Sequence, residues 1–271
     1  MQAIELIGRV VADLGRAETF YREGLGFTRM GLGRSLVHGM ACESVRMRLG
    51  EEVIELARLD VPGRPYPPGS CSSDLWFQHL AIVVADMGAA YAMLSARTAL
   101  VPMSWGGPQT LPPRNGGVQA FKFRDPDGHP LELIWFPPGQ GRPRWQHRPG
   151  PTPFLGLDHS ALAVSDTPRS RRFYRRLGFR VAYRSRNYGP AQARLDGLHG
   201  ARARITGLRV PGADGPGLEL LGYRPPGRAG DVADNDIAAD WVVLGVPALP
   251  EPRLLRDPDG HRMVLIGSMP D

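Results

Sequence analysis

Apolar and polar positions along this chain follow a rhythm that returns several times. The run IELIGRVV at 4–11 is strand-like. It is followed by Asp13, by helical spacing through Phe20-Tyr21, and by Leu25-Gly26-Phe27. The same order returns at 157–179 with Asp166, Phe173-Tyr174 and Leu177-Gly178-Phe179. In both copies the aspartate stands seven residues before the Phe-Tyr pair. A third copy, FQHLAIVVADMGAAYAML, puts Asp86 in the matching place. Each copy predicts a short apolar strand, an aspartate capping a helix N-terminus, and an amphipathic helix.

A second repeated element closes the later copies. Residues 123–139 and 255–268 share Arg-Asp-Pro-Asp-Gly-His between two strand-like runs, a tight-turn sequence that predicts a hairpin. The pentads IELAR (54–58), LELIW (131–135) and LELLG (218–222) each carry glutamate second. Four modules result, at about 1–60, 74–138, 154–224 and 234–269. They group into an N-terminal domain, 1–138, and a C-terminal domain, 154–271, joined by a proline- and arginine-rich linker at 139–153. The fourth module is short. His79 and Asp125 are 46 residues apart, Trp241 and Asp257 only 16, so a helix and a strand are missing.

Period two sorts the first strands by face. His79, Ala81 and Val83 share one side and Leu80, Ile82 and Val84 the other. In the third module His159, Ala161 and Ala163 lie opposite Leu162 and Val164. The matching set in the first is Leu6, Gly8 and Val10. The larger side chains fit packing against a helix, and the smaller ones leave room for a ligand. Modules two and three therefore each offer a histidine and a glutamate at equivalent places: His79 with Glu132, and His159 with Glu219. Module one has Glu55 but Leu6, and module four has Trp241 and Val264.

Two imidazoles and two carboxylates suit a divalent ion of borderline hardness: Zn, Ni, Co, Mn or Fe. Four such ligands leave up to two open positions, which a substrate with adjacent oxygens could fill. Either Glu132 or Glu219, swinging off the metal, could act as base. Glu55 reads as the relic of a ligand. His129 and His261 follow the hairpin turns and are expected to be structural, while His38, His147 and His199 stand in no motif. Trp76, Phe77, Trp135 and Phe136 suit packing or the wall of an apolar pocket. The turn-rich segment 104–117 is a loop or a lid.

Composition narrows the partners. Hydrophobic content of 42% and charged content of 22% are those of a globular chain, with no apolar run long enough for a membrane helix. The N-terminus enters a strand pattern without the regions of a signal peptide, so a cytoplasmic location is expected. Cys42 and Cys71 are expected to be free thiols. The net charge of +6 comes from arginine, since Lys122 is the only lysine. The cluster Arg169, Arg171, Arg172, Arg175 and Arg176 reads as a solvated helix face, not a nucleic-acid patch. A small-molecule substrate is expected, with neither nucleic acid nor membrane, and a monomer or homodimer.

Together, the strand histidine, the helix Phe-Tyr, Leu-Gly-Phe, Asp-Pro-Asp-Gly and the closing glutamate resemble the vicinal oxygen chelate superfamily of glyoxalase I, bleomycin-resistance proteins and extradiol dioxygenases. The resemblance implies an α+β fold of βαβββ modules paired into cup-shaped mixed sheets around a metal. Similarity to the glyoxalase I branch implies His79, Glu132, His159 and Glu219 as ligands, with inner modules paired together and outer modules likewise. The extradiol branch draws two ligands from a fourth module, where this chain has Trp241 and Val264. Its remaining route would be iron held by Glu55, His79 and Glu132 between modules one and two. The implied function is a metal-dependent lyase or isomerase. An iron-dependent ring-cleaving dioxygenase and a non-catalytic, bleomycin-resistance-like binding protein are the alternatives. No fingerprint for glutathione or coenzyme A stands out.

Overall fold

The three helix-capping aspartates take the roles their spacing assigns. In a computed structural model describing residues 2–146, 150 and 152–268, Asp13, Asp86 and Asp166 each accept a hydrogen bond from the amide three residues on, at 2.9, 2.7 and 2.9 Å. These bonds satisfy donors that a helix leaves free at its start. Part of the linker, residues 147–149 and 151, lies outside the described residues, and His147 with it.

The elements follow the modular order. Module one contributes β1 (Ala3–Val10), α1 (Leu14–Thr19, continuing as a wider turn over Phe20–Gly24), β2 (Thr28–Val37), β3 (Met40–Leu49) and β4 (Glu52–Leu59). Module two contributes β5 (Gln78–Val84), α2 (Met87–Arg97), the two-residue strands β6 (Val101–Pro102) and β7 (Gln109–Thr110), then β8 (Gln119–Arg124) and β9 (Pro130–Trp135). Module three has β10 (Phe154–Ala163), α3 (Thr167–Arg176), β11 (Arg180–Tyr188), an inserted α4 (Pro190–Asp196), β12 (Arg202–Arg209) and β13 (Gly217–Tyr223). Module four is three strands, β14 (Trp241–Pro247), β15 (Arg253–Arg256) and β16 (Arg262–Ser268), without a helix.

Two mixed sheets result, and each draws on both halves of the sequence. One runs β15-β16-β14-β1-β4-β3-β2 and the other β11-β12-β13-β10-β5-β9-β8-β6, with β7 beside β8. The outer modules share the first and the inner modules the second, joined by the antiparallel pairs β1–β14 and β5–β10. Modules one and two therefore do not share a sheet, and Glu55 lies in a different sheet from His79 and Glu132. That removes the arrangement in which those three would hold iron.

The predicted division of faces holds. Leu80, Ile82, Val84, Leu162 and Val164 enter the main core with helix residues Leu14, Ala90, Leu94 and Tyr174. On the other face of the inner sheet lie His79, Ala81, Val83, Ala161 and Ala163. The outer cup is filled with side chains: Leu6, Val10, Ala57, Trp241 and Val243 pack with Ile237, Ala238 and Ala239. The indole of Trp241 lies so close over Gly8 that a Cβ there would stand 1.9 Å from its ring. Glu55 turns to Ser44 Oγ (3.1 Å) and Arg46 Nε (3.4 Å).

The hairpin motifs lock neighbouring modules together. In module two, Asp125 accepts from the hydroxyl of Tyr21 in module one (2.9 Å), and His129 Nε2 lies 2.9 Å from the carbonyl of Val10. In module four, Asp257 accepts from Tyr174 (3.0 Å), and His261 Nε2 lies 2.8 Å from the carbonyl of Ala163. Gly128 and Gly260, at φ of 95° and 96°, supply the left-handed residue of each turn. No helix among the described residues is long and apolar enough to cross a membrane. Cys42 and Cys71 are free.

Candidate metal centre

His79 reaches the concave face from β5, Glu132 from the parallel neighbour β9, and His159 from β10, across the seam between modules. In this register Ala81 pairs both with Glu132 and with His159. Potential ligand atoms of His79, Glu132 and His159 all lie within 4.8 Å of one another, and the three residues are buried. His79 Nε2 stands 3.1 Å from Glu132 Oε2, and His159 Nε2 stands 3.8 Å from the same oxygen. Glu219, on β13, approaches His159 Nε2 at 3.3 Å. Its other oxygen accepts from the Tyr183 hydroxyl, so the carboxylate is drawn to one side. All four residues singled out from the repeat therefore come together.

The ring nitrogens decide what the cluster can do. Both nitrogens of His79 and Nε2 of His159 are buried without a well-aligned hydrogen bond, although carboxylate oxygens stand 3.1 and 3.3 Å from the two Nε2 atoms. Buried polar atoms left unpaired are costly and uncommon in folded proteins. Imidazole lone pairs and carboxylate oxygens converging on one point are what a divalent cation satisfies. The donor set thus fits a metal of the Zn, Ni, Co, Mn or Fe class.

Charge follows burial and neighbours. Burial holds the His79 pKa down at about 4 against the pull of Glu132, leaving the ring neutral, as a ligand must be. Burial also opposes charge on His159, but Glu219, Asp158 and Glu132 outweigh it and lift that ring to about 9, so a metal would bind there by displacing the Nε2 proton. Burial would raise Glu132, yet His79, Lys122 and His159 hold it at about 2. Glu219 is pushed up by burial, against His159 and Tyr183 and with the charge of Glu132 adding to the rise.

Three groups that the repeat did not reveal complete the surroundings. Asp158 lies 3.1 Å from His159 Nδ1 and accepts from Trp145 Nε1 (2.7 Å) and Arg209 (3.1 Å). It faces the cavity beside its own neighbour because β10 bulges between Leu157 and His159. Tyr183 holds Glu219. Lys122, directly opposite Glu132 on β8, is buried and bonds Asp196 at 2.7 Å. The alternation Phe121-Lys122-Phe123, with both phenylalanines in the core, is the signal that would have placed Lys122 on the ligand side.

The cluster opens into a cavity of about 470 Å³. Its apolar wall includes Val118, Ile134, Phe136 and Leu221, so of the four aromatics near module two only Phe136 lines it. Phe77 stacks edge-on to His79 at 5.6 Å. The 104–117 segment forms part of the wall. Asn115 donates to Ser185 and Asn187 (2.8 and 2.7 Å) and Arg114 to the Tyr188 carbonyl (2.8 Å), tying module two to β11. Gln140, Gly141 and Arg142 of the linker line it as well.

The chain matches the profile of the Glyoxalase/Bleomycin resistance protein/Dioxygenase superfamily over residues 3–133 and 156–265. Among solved structures it is similar to glyoxalase I from Zea mays, at 18% identity and a TM-score of 0.64. That match covers 98% of this chain and 92% of the other. A proposed dioxygenase from Bacillus subtilis aligns at 12% identity and a TM-score of 0.57, covering 99% of this chain and 86% of that one. At such identities the likeness is one of fold. A comparison with curated protein sequences returned no match. The profile match spans most of both sequence halves, and the chain belongs to the Glyoxalase/Bleomycin resistance protein/Dioxygenase superfamily.

Proposed function

We propose that His79, Glu132, His159 and Glu219 hold one divalent transition-metal ion, and that the protein is a glyoxalase-like lyase or isomerase acting on a small substrate that chelates through adjacent oxygens. The observation that carries this reading is the pair of buried Nε2 atoms of His79 and His159, neither with a well-aligned hydrogen bond, converging on Glu132. Bound there, the ion would supply Lewis acidity toward the substrate oxygens. The chain supplies the rest. Asp158 fixes the tautomer and orientation of His159, so that Nε2 faces the site. Glu219 stands outside the tight trio, is steadied by Tyr183, and is the carboxylate free to accept a substrate proton. A small organic molecule fits the cavity.

A second reading has its own support. His79, His159 and Glu132 alone form a two-histidine, one-carboxylate set, the donor combination of non-haem iron oxygenases. On this reading the protein would be an iron-dependent ring-cleaving dioxygenase, with Glu219 as a neighbouring base.

Elemental analysis of protein purified without chelator tests the common ground, with about one ion per chain expected. A metal content near zero after loading and desalting would leave a binding protein as the reading. A screen of metal-loaded protein then separates the two enzymes. Turnover of α-ketoaldehyde–thiol adducts or 2-substituted acyl thioesters supports the lyase or isomerase, and oxygen uptake with catechols supports the dioxygenase.

A further inference from the structure

Lys122 is the chain's only lysine, and every other cationic side chain in its ion pairs is an arginine or histidine. It lines the cavity, opposite Glu132, with its side chain 4% exposed. Burial works against the ammonium, but Asp196, with Glu132 and Glu219 adding to it, outweighs burial and keeps it charged. Asp196 is itself occupied on its other oxygen by Gln192 at 2.7 Å. An ammonium carries three N–H donors, and here one bonds Asp196 while the group also lies 5.7 Å from the Phe77 ring, so donors remain for a further acceptor.

The placement is odd for a site that holds only a cation. A fixed positive charge beside His79 and Glu132 repels a metal ion bound by them. A tie between β8 and α4 alone would not need to face the ligand cavity. A negative group lying between the ammonium and the metal would be attracted by both. The whole wall leans the same way: Arg114, Lys122, Arg142, Arg184 and Arg209 line it against Glu132, Asp158 and Glu219. A divalent ion would widen that excess. Arg209 Nη1 is buried there without a partner.

We propose that Lys122 is a substrate-binding residue whose ammonium holds an ionised oxygen of the substrate, and that the substrate class is small organic anions bearing adjacent oxygens, such as 2-hydroxy- or 2-oxo-carboxylates. This rests on the metal centre proposed above. A compact ammonium suits a single oxygen at a metal's edge better than a broad guanidinium fork, which is matched to bidentate anions.

A single lysine makes the test direct. Protein grown on lysine labelled with 13C at Cε and 15N at Nζ carries one labelled side chain, Lys122. Oxalate, with two adjacent ionised oxygens, is the probe, titrated into zinc-loaded and metal-free protein by NMR and calorimetry. The Lys122 signal is expected to move as oxalate saturates. Lys122→Met is expected to weaken oxalate at least tenfold while zinc affinity stays the same or tightens. A signal that stays fixed in both arms, no oxalate binding at millimolar concentration, or unchanged oxalate affinity in Lys122→Met overturns the proposal. Cobalt absorption bands report the metal separately. If cobalt does not bind, the metal reading fails, and the metal-free titration decides Lys122 alone. If Lys122→Met does not fold, the labelled wild-type titration still gives the answer.

Discussion

With a metal bound, Asp158 would govern how His159 presents itself, because a carboxylate on Nδ1 leaves Nε2 as the lone-pair donor once its proton is displaced. Asp158→Asn keeps the shape and removes the charge. Zinc affinity, measured by competition with a chromogenic chelator, is expected to fall about 10–100-fold, as loss of such outer partners does elsewhere. Unchanged affinity would separate Asp158 from the site. Glu132→Gln and Glu219→Gln should abolish turnover far more completely than folding, since an amide accepts no proton near neutral pH. Near-normal rates in both variants would remove either carboxylate as the essential base. The four residues at equivalent repeat positions were legible because the register repeats, and a histidine and a glutamate recur at fixed distances from the capping aspartate and the closing pentad. Asp158 was not legible, because a bulge in β10 breaks the alternation that would have sent it to the opposite face. Tyr183 lies beside a similar irregularity, between Val181 and Tyr183 in β11. Lys122 needed the β8–β9 pairing to reveal its neighbour.

At the scale of elements, Arg-Asp-Pro-Asp-Gly-His is a clamp as well as a turn. Its aspartate and histidine grip the tyrosine and first strand of the preceding module, so the Phe-Tyr pair and the hairpin are two halves of one contact. The sequence displays both halves, but what joins them is tertiary and leaves no local signature. His129 also lies 3.0 Å from Asp240. Burial works against charge on His129, but Asp240 and Asp125 outweigh it and raise its pKa. A group raised on folding stabilises fully below its unfolded pKa, about 6.5, and that contribution fades as pH rises through the folded value. The stability advantage of wild type over His129→Gln, from urea unfolding, should therefore be largest in mild acid and shrink in alkali. A constant difference across pH would mean the ring acts only through its bond to Val10. Catalysis should survive this substitution.

For the whole molecule, each sheet needs both halves of the chain. Fragments 1–138 and 154–271 made separately would each carry an unpaired β1 or β14 edge and an unpaired β5 or β10 edge. Neither is expected to bind zinc with native affinity, and co-expression should restore binding, which gel filtration with metal analysis would show. Metal should also stabilise the fold. At a free concentration 100 times Kd, about 2.7 kcal/mol is expected, visible as a rise in Tm that a chelator reverses. The filling of the outer cup has a consequence of its own. Trp241 occupies the space above Gly8, so no side chain can be added at Gly8 while the indole remains. Gly8→Ala alone should cost about 1–3 kcal/mol through overpacking, and much of that should return in the double variant with Trp241→Ala. The indole therefore acts as a plug: no side chain added at Gly8 can open the outer cup, and room for a ligand there would come only after Trp241 is replaced by something smaller.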